Sequence, residues 1–214
     1  MKKLIGLLIV SLFFIVNTYG QETINEPATV WTINGIKLNI SNYKFIENGN
    51  FLAYKNSKGR VKELERQMIF SIIDSKGKET IYFEPDSLDD KYYTIENMRS
   101  FVKGGYEGRE NYQAPIAFIG GFLAGVYGGC GFPTFDNPNP VYGVLIPAAF
   151  TAIVGLTSPD KGNIVAKYPD YANDDFFILG YSESANNNRA LSSIKGSLAG
   201  LAVGIILSIV MDTL

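Results

Sequence analysis

The chain has 214 residues, a formal net charge of −2, 46% hydrophobic residues and 19% charged residues. It contains no histidine and a single cysteine, Cys130, which excludes serine–histidine and cysteine–histidine catalytic pairs and any intrachain disulfide. The slightly negative charge offers no basic surface for nucleic acid, so we expect no nucleic-acid partner.

The N-terminal segment 1–20 predicts a secretory signal peptide. Two lysines precede an apolar stretch over 4–16, and small residues precede Gln21, as at a cleavage site. An uncleaved N-terminal anchor is the alternative. In both cases, the rest of the chain starts outside the cytoplasm.

Residues 21–90 predict a small antiparallel β-barrel-like module of the SH3 or Sm type. Asn34-Gly35 is a strong hairpin signal, and turn residues at 48–50 and 75–78 separate further apolar runs. So many short strands need closure or tight curling to protect their edges. Core packing is the expected role of most aromatic residues here, and a binding platform is the alternative. The aromatic residues concerned are Trp31, Tyr43, Phe45, Phe51, Tyr54, Tyr82 and Phe83.

Residues 91–113 predict an amphipathic helix and a connector. Thr94 is a candidate N-cap, and the apolar positions within 95–102 fall on one helical face. Gly104 and Gly105 are expected to end this helix, which we expect to pack on the β module.

Glycine recurs at every fourth residue in two apolar runs, and these glycines are our candidate helix-packing residues: Gly121, Gly125 and Gly129, and Gly196, Gly200 and Gly204. In water each glycine costs a helix about 1 kcal/mol relative to alanine. In a bilayer a stripe of small residues lets two helix backbones approach closely. The spacing therefore predicts packed membrane helices.

The two glycine runs also align with each other. One sequence offset places Gly105 on Gly180 and Gly129 on Gly204, which indicates either a duplication or convergence on one packing unit.

The C-terminal half divides by composition into an apolar helical hairpin (114–157), a polar loop and helix (158–193) and a C-terminal apolar helix (194–214). Pro147 is expected to kink the second helix of the hairpin. If three helices cross a membrane, the first and third are parallel, as dimerising glycine stripes prefer. The loop 131–140 has no Lys or Arg, against the positive-inside tendency. A hairpin buried in an oligomer or lying in one leaflet is therefore the alternative.

Two acidic clusters contain residue types that bind calcium: Asp86, Asp89 and Asp90, and Asp170, Asp174 and Asp175. We expect solvated loops at both, and no metal or cofactor. The adjacent apolar patch 176–179 is expected to pack on the β module or the membrane surface. No residue is assigned a catalytic role, because pairs such as Glu63 and Glu65 lack a nucleophile or an orienting partner.

Several motifs occur in a recognisable order: the strand 69–73, the turn 77–79, the segment Gly105–Tyr112, a glycine-rich apolar hairpin and a Gly-Tyr helix before the last apolar helix. This order resembles an uncharacterised family of exported membrane proteins known mostly from Bacteroidota. The resemblance implies export and membrane association, and it implies no activity.

The expected function is that of a non-enzymatic membrane protein of the cell envelope. Glycine-packed helices would tether an exported β module on the periplasmic side and would mediate self-assembly or binding of an envelope partner. The alternative is a component of a transport or channel complex, although the apolar helices carry almost no ionisable groups.

Overall fold

The computed structural model describes Ile24 and residues 26–85, 93–130 and 140–212. The signal peptide predicted over 1–20, the first acidic cluster and the connection between the first two apolar helices lie outside these residues.

The chain is α+β, with a six-stranded antiparallel sheet followed by helices. The strands are Ala28–Thr32 (β1), Lys37–Ile46 (β2), Phe51–Lys55 (β3), Val61–Glu65 (β4), Ile69–Ile73 (β5) and Glu79–Ile81 (β6). Their order in the sheet is β4-β3-β2-β1-β5-β6. The predicted turns between β1 and β2, between β2 and β3 and between β5 and β6 are confirmed, because each joins an antiparallel pair.

The long strand β2 divides the sheet into two halves. Its first part pairs with β1, its second part pairs with β3, and the register shifts between Ser41 and Lys44. Asn42, inside this shift, has a positive φ of 49°. The bend encloses one apolar core, which consists of Ala28, Val30, Ile40, Tyr43, Leu52, Tyr54, Ile69 and Ile72.

The helices are Ile95–Asn111 (α1), Pro115–Gly129 (α2), Pro140–Leu156 (α3), Lys161–Lys167 (α4) and Asp175–Asp212 (α5). Thr94 caps α1 as predicted, because its hydroxyl accepts a hydrogen bond from the Asn97 amide at 3.1 Å. The predicted stop at Gly104 and Gly105 is wrong, since α1 continues to Asn111. Both glycines are buried against neighbouring backbone instead of ending the helix.

The helix α1 lies against both the sheet and α5. Phe70 of β5 packs with Met98 and Val102. The tip of the first hairpin also contacts α1: a Cβ on Gly35, whose φ is +70°, would lie 2.6 Å from the backbone nitrogen of Tyr106. These contacts fix the β module to the helices.

The helix α5 runs without interruption across position 193, where composition had divided a polar segment from an apolar one. The polar part is helical because it buries one side: Phe177 and Tyr181 form a cluster with Ile164 of α4. The apolar patch 176–179 was expected on the β module or a membrane surface. That expectation is wrong for Phe177, which stacks on Tyr171 with ring centroids 4.1 Å apart.

Candidate membrane-facing helix bundle

The helices α1 and α2 follow one another along α5 and run parallel to it. Near the start of α5, a Cβ on Gly180 would lie 3.0 Å from the Gly105 nitrogen. Further along, a Cβ on Gly204 would lie 2.9 Å from the Gly129 Cα. Both of these pairs align under the sequence offset and also meet in space.

Four of the predicted packing glycines meet each other directly in the α2–α5 seam. A Cβ on Gly125 would lie 3.0 Å from the Gly200 Cα, and a Cβ on Gly129 would lie 3.0 Å from the Gly204 Cα. These distances are shorter than nearly all Cβ contacts in proteins, so a side chain at these positions would push the helices apart.

The remaining two predicted glycines extend the seam toward the start of α2. A Cβ on Gly121 would lie 3.0 Å from the Ser193 Cα, and a Cβ on Gly196 would lie 3.0 Å from the Phe122 nitrogen. All six glycines therefore face a helix of the same chain.

The sequence pattern used above did not predict the part of the seam between α1 and α5. Gly104 and Gly108 meet the backbone of Phe177 and Tyr181, with Cβ distances of 2.8 Å to the Phe177 carbonyl carbon and 3.1 Å to the Tyr181 Cα. The spacing of these two glycines, like that of the predicted glycines, is four residues, and this signal could have identified them.

The third helix of the bundle, α3, runs antiparallel to α2 and α5. A Cβ on Gly128 would lie 3.2 Å from the Gly143 Cα, and the hydroxyl groups of Thr151 and Ser193 are 2.9 Å apart. The interior of the bundle is therefore made of small and hydroxyl-bearing residues.

The outward face of the bundle is made of large apolar side chains. Leu123 of α2 is 62% exposed, Ile153 of α3 is 64% exposed and Leu198 of α5 is 63% exposed. No charged residue occurs within α2, within α3 or over 196–211. The bundle thus reverses the usual arrangement of a water-soluble domain, with small residues inside and large apolar residues outside.

Among the described residues, one helix is long and apolar enough to cross a bilayer, the segment Asp175–Met211 of α5. The helix α3 meets the same criterion only together with α4, from which it is bent by 60°, and α2 is shorter.

Asn188 holds the end of α1 against α5. Its side-chain amide nitrogen lies 3.3 Å from the Gly108 carbonyl oxygen, 2.9 Å from that of Arg109 and 3.3 Å from that of Tyr112. The last carbonyl groups of a helix have no partner within the helix. Asn188 supplies this hydrogen-bond partner at the end of α1, just before Pro115 begins α2.

Other polar groups meet at the same level of the bundle. Arg189 donates a hydrogen bond to the Thr157 carbonyl oxygen at 2.7 Å, and Asn186 donates one to the Ser158 hydroxyl at 3.2 Å. The start of α2, the end of α3 and the middle of α5 therefore change from polar to apolar composition at one level.

No protein-family model, curated protein or solved structure matches this chain.

Tyr168 packs against the buried cluster of Phe177, Tyr181 and Ile164, and a hydrogen bond fixes its side chain. The Tyr168 hydroxyl donates to a Glu107 carboxylate oxygen at 3.0 Å. Burial, followed by this hydrogen bond and the charge of Glu107, raises the pKa of Tyr168 to about 12. The phenol therefore stays neutral and keeps donating across the physiological range.

Two carboxylates of the second acidic cluster stabilise the start of α5 and its contact with α4. Asp174 accepts a hydrogen bond from the Phe177 amide at 3.0 Å, and Asp175 forms an ion pair with Lys161 at 2.9 Å. Both carboxylates lie in the first turn of α5 or just before it, where negative charge is favourable.

Proposed function

We propose that this protein is a non-enzymatic membrane protein of the cell envelope, in which α2, α3 and the apolar part of α5 cross the bilayer and tether an exported β module. The observation that carries the proposal is the reversed bundle: Gly and Ser pack inside, while residues such as Leu123 and Leu198 are exposed. Lipid tails solvate such a surface, whereas water does not.

The dimensions fit a thin membrane domain. A helix of 15 residues such as α2 spans about 22 Å and one of 17 residues such as α3 about 25 Å, against a hydrocarbon core of about 30 Å. The exposed Lys195 lies near the polar level, from which its side chain can reach the headgroups.

We further propose that the β module is a small barrel of the SH3 type. Three features support this assignment: β1 pairs with β5, β2 bends and is shared by two half-sheets, and a single 3-10 turn at Arg66–Met68 separates β4 from β5.

The proposed orientation places the β module outside the cytoplasm. Lys161, Lys167 and Arg189 are then also outside, against the positive-inside tendency. An N-terminal export signal that inserts first would set this orientation, as the family resemblance also implies.

The two glycine stripes do not support self-assembly, because each stripe already packs against a helix of the same chain and is not available to a second copy. A partner would therefore contact the outer helix faces or the β module. The transport alternative gains nothing from the α2–α5 seam, which backbone contact closes.

The decisive experiment compares two equally exposed apolar residues. Leu123 on α2 is 62% exposed and Val61 on β4 is 67% exposed. A lysine at the centre of a spanning helix costs about 3 kcal/mol, whereas a lysine at an exposed strand position is nearly neutral. We expect Leu123→Lys to reduce the carbonate-resistant membrane fraction and Val61→Lys to leave it unchanged. Equal behaviour of both variants, or release of the wild type by carbonate, would refute the proposal.

Orientation is tested separately with a membrane-impermeant maleimide. In a Cys130→Ser background, a cysteine at the exposed Ser75 of the β5–β6 turn should react in intact spheroplasts. Labelling only after lysis would show that the β module is cytoplasmic.

A further inference from the structure

A groove lies between the sheet and α1, on the opposite side of the polar level from the apolar bundle. Lys37, Trp31 and Ser71 are direct neighbours across β2, β1 and β5, so their side chains share one face of the sheet. The helix α1 covers part of this face and leaves a cavity of about 380 Å³. That volume is within the range of small-ligand sites.

The groove contains a polar group that needs a partner. Ser71 is completely buried, and its hydroxyl oxygen has no hydrogen-bond partner among the described residues. A buried hydroxyl without a partner is unfavourable, and a ligand with an amide group would satisfy it.

The charges around the groove favour an anion. Arg99 is neutralised by Glu79, to which it donates two hydrogen bonds at 3.0 and 2.8 Å. Glu107 accepts hydrogen bonds from groups outside the groove. The Lys37 ammonium lies over the Trp31 ring, whereas the Lys103 ammonium donates a hydrogen bond to the Tyr171 hydroxyl outside the groove. Neither ammonium group forms an ion pair with a carboxylate among the described residues.

The walls of the groove are apolar and aromatic. The rings of Trp31 and Tyr106 meet edge to face with centroids 5.1 Å apart, and Val102 and Phe70 also line the groove. Such walls favour an apolar side chain on the ligand.

We propose that this groove binds the C-terminal end of a peptide whose last residue is apolar. The carboxylate faces Lys37, a peptide amide pairs with the Ser71 hydroxyl, and the last side chain packs against Trp31 and Tyr106. This assignment uses the three independent features of the groove: the Lys37 cation without an ion-pair partner, the unsatisfied hydroxyl and the apolar walls. It does not depend on how many helices cross the membrane.

The test uses the full chain in detergent and Trp31, the only tryptophan in the sequence, as a fluorescent reporter. The probe is acetyl-Ala-Leu, and its C-terminal amide and octanoate are the comparisons. We expect a saturable change of Trp31 emission with acetyl-Ala-Leu and at least tenfold weaker binding of the amide and of octanoate. Isothermal titration calorimetry repeats each measurement, so binding that leaves the emission unchanged is still detected.

The variants separate the contacts. Lys37→Gln should weaken the peptide acid at least tenfold, Ser71→Ala should weaken it about threefold to tenfold, and Lys44→Gln, at an exposed lysine outside the groove, should have no effect. The proposal is overturned if acetyl-Ala-Leu does not bind, if the amide or octanoate binds as well as the acid, or if Lys37→Gln leaves its affinity unchanged.

Discussion

Gly200→Ala adds a methyl group at the closest part of the α2–α5 seam. Its Cβ would lie 2.8 Å from the Phe122 carbonyl carbon and 2.9 Å from the Val126 nitrogen. Because carbon contacts are favourable only from about 3.5 Å, the helices would have to separate. Overpacking of this kind costs about 1–3 kcal/mol, while alanine gains the helix about 1 kcal/mol. The matched control is Gly155→Ala in α3, where the new Cβ would lie 3.4 Å from the Ala190 Cβ, an ordinary contact.

Both substitutions raise helix propensity, so most of the difference between them comes from the clash. We expect Gly200→Ala to be less stable than Gly155→Ala by about 2 kcal/mol, which corresponds to a melting temperature lower by about 4–8 °C. Thermal unfolding in detergent followed by circular dichroism measures this difference, and size-exclusion chromatography records the oligomeric state. If Gly200→Ala melts at or above the temperature of Gly155→Ala, close backbone packing is not what holds α2 on α5.

Three further predictions concern single side chains. Asn188→Ala should lower the free energy of unfolding by about 1–3 kcal/mol, because it removes the hydrogen-bond partner of the last α1 carbonyl groups. The control Asn187→Ala, at an exposed neighbour, should change the free energy of unfolding by less than about 0.5 kcal/mol. Denaturant titration compares the two variants. Free tyrosine has a pKa of 10.0 and Tyr168 has a pKa of about 12, so the unfolded state loses this proton first and the free energy of unfolding should fall as the pH rises from about 10 to about 12. The Tyr168→Phe variant should show a shallower fall over this range. Equal slopes for the wild type and the variant would contradict the assigned pKa. Thr94→Ala should cost about 1 kcal/mol through loss of the α1 cap, and Thr94→Ser should restore most of it in the same titration, since serine keeps the hydroxyl.

Local signals in the sequence predicted local structure well. The Asn34-Gly35 dipeptide requires a tight turn wherever it stands between two strands, and Thr94 caps a helix through a neighbouring amide. Such features depend on a few adjacent residues, so they survive in any tertiary context. The strand order and the bend of β2 depend on pairing between distant segments, and only the structure shows them.

The incorrect predictions involve residues whose behaviour depends on a distant partner. Gly104 and Gly105 have the composition of a helix stop, but the neighbouring α5 backbone and the first hairpin bury them and the helix continues. The change of composition at position 193 predicts a boundary between two elements, but one helix continues across it, with Tyr181 and Asn188 held against the end of α1. In both cases a tertiary contact outweighs the local propensity.

The parallel seam explains how the β module is held relative to the bundle. One side of the seam consists of two helices, α1 and α2, with a break at Tyr112 between them. The other side is the single helix α5, which continues through the same level without a break. Two separate helices that pack on one continuous helix cannot change their relative angle unless one of them leaves its glycine contacts. Because these contacts are backbone to backbone, no side-chain rotation can relieve a change of angle. The β module, fixed on α1 by Gly35 and Phe70, therefore takes its orientation from α5.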